Sequence, residues 1–150
     1  MTFLVLSPLL IAFALAADDG SPPDHSDVAT RRVSGDGQFL GRWKVAEFIS
    51  SNGKPSSISA KYEFVFSPGK LEWFDGDGKQ LHTFFTTFDA GQTPMEFTLT
   101  RKTGDRERNA NGVYDYQDGQ LRLYYIWDKA RPTKLERPEN GFVYVLERAE

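Results

Sequence analysis

Two segments in this chain alternate apolar and polar residues on both sides of a two-residue turn, and they commit it to antiparallel sheet. Tyr114-Asp115-Tyr116-Gln117 runs into Asp118-Gly119, and Gln120-Leu121-Arg122-Leu123 runs out. Asp-Gly between alternating runs marks a type I′ hairpin, because both central residues must take positive φ. A two-residue loop then pairs Tyr116 with Leu121, Asp115 with Arg122 and Tyr114 with Leu123. Apolar meets apolar and acid meets base, whereas a slip of one residue mixes the faces. Pro68-Gly69 repeats the pattern, pairing Phe66 with Leu71, Val65 with Glu72 and Phe64 with Trp73.

The same period-2 signal, bounded by turn formers, predicts strands over 42–50, 61–67, 70–75, 80–88, 95–101, 112–117, 120–128 and 142–148. No long segment places apolar residues at a spacing of 3.6. Eight short strands joined mostly by short links predict an all-β fold: an eight-stranded antiparallel up-and-down barrel, whose closure removes exposed edges. Over 80–88, Leu81 and Phe85 share one face and His82, Phe84 and Phe88 the other, so alternation does not choose the inward side. The longest link, 129–141, carries Pro132 and Pro138 and is expected to cross the barrel end as an extended segment.

Residues 1–16 read as a signal peptide: an apolar run from Phe3 to Leu15, then Ala14-Leu15-Ala16 ahead of Asp18-Asp19. A membrane anchor needs about 20 apolar residues, and this run is shorter and interrupted by Pro8. Residues 17–37, polar and turn-rich, read as a flexible, disordered linker. The barrel domain is assigned to 38–150. Export to a periplasm or the exterior is expected, with no membrane span after cleavage. The chain has no cysteine, which removes disulfides, thiol nucleophiles and cysteine zinc sites from consideration. Its 18 basic and 21 acidic residues show no basic footprint for nucleic acid.

Phe39-Leu40-Gly41-Arg42-Trp43-Lys44-Val45, Asn52-Gly53-Lys54-Pro55, Asn111-Gly112-Val113-Tyr114, Arg131-Pro132-Thr133 and the closing Val143-Tyr144-Val145-Leu146-Glu147-Arg148 occur in that order. Together they resemble a family of lipocalin-like domains abundant in planctomycete bacteria. The resemblance spans the whole domain. It implies a lipocalin-like barrel and no particular activity. It also implies that Gly41, Trp43 and Arg148 close one barrel end, with the arginine packed over the indole, a structural role.

Candidate chemistry is sparse. His25 lies in the linker, and His82 has no second histidine near it in sequence. Asp75-Gly76-Asp77-Gly78-Lys79 has the opening of a calcium loop, but Lys79 occupies a position that needs an oxygen ligand, so a turn is the better reading. Glu63 and Glu72 alternate with the apolar residues of their hairpin and face solvent; with Glu96 and Glu107 they form no evident catalytic pair. No Gly-x-Ser-x-Gly occurs. Residues 101–108 mix both charges and read as a solvated hairpin loop, with 109–112 as a hinge or turn. No enzyme activity, metal or cofactor is expected.

Aromatics make up 14% of the chain, enough either to fill a barrel or to line a pocket. Phe64, Phe66, Trp73, Phe97, Tyr114, Tyr116, Tyr125 and Trp127 fall on inferred inward faces. An eight-stranded barrel is just wide enough to be filled by side chains or to hold one small ligand. Two readings therefore stand. In the first, a small, partly apolar ligand binds at the barrel mouth, with Tyr114, Tyr116, Tyr125 and Trp127 as walls and Phe64 and Phe97 deeper. In the second, the core is filled and the domain is a structural module or contacts a protein partner through surface loops, 101–111 above all.

Overall fold

The computed structural model describes residues 37–56 and 61–150. Residues 1–36, read above as a signal peptide and a linker, lie outside the described residues. Gly37, assigned above to the linker, opens a one-turn 3₁₀ helix, Gly37–Phe39. Eight strands follow: β1 (Gly41–Ile49), β2 (Glu63–Ser67), β3 (Lys70–Phe74), β4 (Gln80–Asp89), β5 (Met95–Thr103), β6 (Arg106–Gln117), β7 (Gln120–Trp127) and β8 (Phe142–Arg148). Each pairs antiparallel with the next, and β8 pairs with β1, so the sheet is a closed up-and-down barrel. This is the eight-stranded up-and-down architecture expected from the hairpins.

Both marker hairpins adopt the predicted register. Tyr116 opposes Leu121, Asp115 opposes Arg122 and Tyr114 opposes Leu123. Asp118 and Gly119 take φ of 54° and 78°, as a type I′ turn requires. On the outer wall Arg122 Nη1 lies 3.7 Å from Asp115 Oδ2. Partial burial raises the Asp115 carboxyl, and Arg122 opposes that rise. In the other hairpin Phe66 opposes Leu71 and Phe64 opposes Trp73, with Gly69 at φ 69°.

The inward side of β4 is settled by packing: Phe84, Thr86 and Phe88 are buried, whereas Leu81 and Phe85 face solvent. One expectation needs correction. Residues 101–111 are not a long loop with a hinge. They form the ends of β5 and β6 around a two-residue tip, Gly104-Asp105, with Thr103 opposite Arg106 and Ala110 fully buried. Gly104 at φ 57° supplies the positive φ that such a tight tip needs. The 129–141 link carries no strand, as expected; its first residues pack on the outer wall, and Arg137 donates to Ser51 O in the link that follows β1. Asn111 Nδ2 donates to Lys129 O at 2.8 Å, and Arg131 donates to Glu96 and Thr98 of β5. Those two side chains alternate with inward Phe97 and Leu99 and so point outward.

Candidate functional site

The interior divides into a filled half and an open half. The filled half lies at the end where β6 turns into β7. The 3₁₀ turn pushes Phe39 into this end, where its ring meets Phe88 at 5.2 Å and Tyr114 at 5.3 Å between centroids. Trp43, fully buried, donates from Nε1 to Phe39 O at 2.7 Å. The Arg148 guanidinium stands 4.5 Å from the Trp43 ring centroid and donates to Leu40 O and Gln38 O. Gly41, at φ 111°, leaves room for it: a Cβ there would sit 2.9 Å from Arg148 Nη1. Gly41, Trp43 and Arg148 thus meet at one barrel end.

The open half lies at the other end. A cavity of about 230 Å³ is lined mainly by aromatic side chains from six strands. Phe48 of β1, Phe64 of β2 and Trp73 of β3 contribute, as do Phe84 of β4, Tyr125 and Trp127 of β7, and Phe142 and Tyr144 of β8. Alternation puts all but Phe48 inward, a bulge between Val45 and Glu47 shifts the parity of β1 so that Phe48 joins them, and antiparallel order sets their height. Rings of Phe48 and Tyr144 stack at 4.5 Å with 18° between planes, and Phe142 stacks on Tyr125 at 5.3 Å and 20°. Leu71, Leu99 and Leu123 and three cationic or basic side chains, His82, Arg101 and Arg108, complete the wall.

The polar atoms of this wall are unequally satisfied. Tyr125 and Tyr144 are hydrogen-bonded to each other through their side chains. Burial is the chief reason that both phenols are held well above the usual tyrosine range. Trp73 Nε1 is buried and has no hydrogen-bond partner among the described residues. Its indole is packed edge-on by Tyr62 at 5.1 Å and His82 at 5.4 Å. Burial, then the charge of Arg101, lowers the His82 imidazole from its ordinary value of 6.5. Arg108 Nε donates to Asp128 Oδ2 at 2.6 Å and its guanidinium lies 5.1 Å from the Trp127 ring centroid. That bond holds the Asp128 carboxyl below its ordinary range.

Of the six residues expected to contact a ligand, Phe64, Tyr125 and Trp127 line the cavity, and Phe97, Tyr114 and Tyr116 do not. The single mouth drawn from Tyr114, Tyr116, Tyr125 and Trp127 is corrected: β6 and β7 run antiparallel, so Tyr116 beside the turn and Trp127 at the far end of β7 stand at opposite barrel ends. Tyr114 and Phe97 are buried in the filled half, and Tyr116 is partly exposed beside Trp43 and Phe39. Sequence reasoning missed Phe48, Tyr144 and the two arginines as wall residues. Continuing inward parity from Leu99 to Arg101 and from Ala110 to Arg108 identifies the arginines.

Among the described residues no group of three His, Asp or Glu is placed to hold a metal ion, and no helix is long and apolar enough to cross a membrane. No protein-family model and no curated protein sequence matches the chain. A crystal structure of a lipocalin-like protein from Bacteroides uniformis is similar at 15% identity and a TM-score of 0.46, over 75% of this chain and 100% of that one.

Proposed function

We propose that this protein is a non-enzymatic binder of one small, partly apolar molecule, held in the open half of the barrel. The observation that carries this reading is the aromatic cavity of about 230 Å³. Ligand sites combine apolar walls with a few placed polar groups. Export, resting on the apolar run of residues 1–16, and kinship with the planctomycete lipocalin-like domains belong to the same reading.

Native mass spectrometry of protein purified from its own host tests it. The expected result is a reproducible added mass that is lost on denaturation and is diminished in Leu99→Phe, a variant that fills the cavity. A bare mass in the parent chain, with no quenching of tryptophan emission by small apolar compounds, overturns it.

A second reading has its own observation. Leu81 and Phe85, 37% and 56% exposed, stand on the outer face of β4 and would serve contact with a protein partner.

A further inference from the structure

The cavity mouth is electrostatically lopsided. Arg101 and Arg108 are directly opposed register partners at the ends of β5 and β6, and both line the cavity. Opposed like charges destabilise a sheet pair, so the arrangement needs a counter-charge. Arg108 has one in Asp128. Arg101, half-buried, makes no ion pair or hydrogen bond among the described residues. The described lining contains two arginines and a histidine, and no Asp or Glu. One uncompensated guanidinium therefore faces an aromatic cavity.

The volume bounds what lies beneath it. A cavity of about 150 Å³ accepts benzene, so about 230 Å³ suits a body of one to two rings. The walls are themselves rings in near-parallel pairs: Phe48 with Phe142 at 5° and Tyr125 with Tyr144 at 6° between planes. Flat apolar bodies pack against such surfaces by offset or edge contacts.

We infer that the occupant is a small aromatic carboxylate, its ring among the cavity aromatics and its carboxylate on Arg101. This rests on the binding function proposed above and names the ligand class for that site. The guanidinium fork matches a carboxylate with two parallel hydrogen bonds, and partial burial strengthens them relative to water. The bound anion also relieves the opposition between Arg101 and Arg108.

Titration calorimetry with naphthalene-2-carboxylate and its uncharged analogue naphthalene-2-carboxamide, on the parent chain and Arg101→Gln, tests the inference. The carboxylate is expected to bind the parent chain tighter than the amide by about tenfold or more, and Arg101→Gln to weaken the carboxylate far more than the amide, so that the preference disappears. Arg101→Lys, which keeps the charge and loses the fork, is expected to fall between. Nuclear magnetic resonance provides a second readout: the His82 imidazole midpoint rises when the carboxylate binds and not when the amide does. Equal binding of both compounds, unaffected by Arg101→Gln, overturns the carboxylate assignment and leaves the cavity function standing. Failure of both compounds to bind the parent chain overturns the two together.

Discussion

Phe97 lies across its register partner Gly112, with no room for even a methyl group between them. A Cβ built on Gly112 would stand 2.3 Å from Phe97 Cε1 and 2.7 Å from Tyr124 O. The glycine lets the ring lie flat over β6 and reach Phe88, on which it stacks at 5.8 Å. Gly112→Ala is expected to destabilise the barrel by about 1–3 kcal/mol through overpacking. Because the clash is with one ring and one carbonyl, Phe97→Leu should recover part of that loss in the double variant. Urea unfolding of the four chains of the cycle measures the coupling, and additive losses would exclude the ring as the cause.

Arg148 joins the chain's last strand to its first turn. It stacks on Trp43 and donates to two backbone carbonyls of residues 38 and 40. Arg148→Gln should cost about 1–2 kcal/mol, the lower part of the summed scale because the side chain is exposed. Arg148→Lys should not restore the loss, since one ammonium cannot stack flat and serve two carbonyls. Thermal unfolding checks both variants, and full rescue by lysine would reduce the contact to simple charge.

Arg101→Gln should stabilise the unliganded chain. It removes a like charge from directly opposite Arg108, an opposition worth about 0.5 kcal/mol. The unfolding midpoint without ligand should rise in this variant and the rise should shrink in high salt. A fall would show that Arg101 is already compensated.

The His82 imidazole is held below 6.5 by burial and by Arg101. The unfolded chain therefore binds a proton here more readily than the folded one. The stability contributed by neutral His82 is fully present above pH 6.5 and is lost as pH falls through the lowered folded value. The His82 ring signals should titrate with a midpoint below 6.5, and His82→Gln should flatten the fall in stability below pH 6.5. An unchanged midpoint would mean that the ring is more solvated than its packing against Trp73 and Phe84 implies.

How much of this was written in the chain can be seen strand by strand. Alternation and turn chemistry at Asp118-Gly119 and Pro68-Gly69 determined two registers outright, since each residue there has one acceptable face. The first half of β6 was illegible for a physical reason. Its inward positions are Arg108, Ala110 and Gly112, which are charged or small because the Phe97 ring and the cavity occupy the space that large apolar side chains would fill. Without those side chains the hydrophobic alternation vanishes, and the stretch resembles a loop.

By itself the sequence determined the sheet: antiparallel hairpins, eight strands and an aromatic interior, all local consequences of period-2 patterning and turn residues. Tertiary structure alone decided which aromatics share a space. Closure through β8 and β1 brings Phe48 and Tyr144 beside Tyr125 and Trp127, and sends Tyr114 and Tyr116 to the opposite end. The inward side of β4, the filled and open halves, and the place of Arg101 opposite Arg108 at the cavity likewise depend on contacts between strands far apart in the chain. Such contacts are set by how rings of fixed volume fit within a closed wall, and no local pattern encodes that fit.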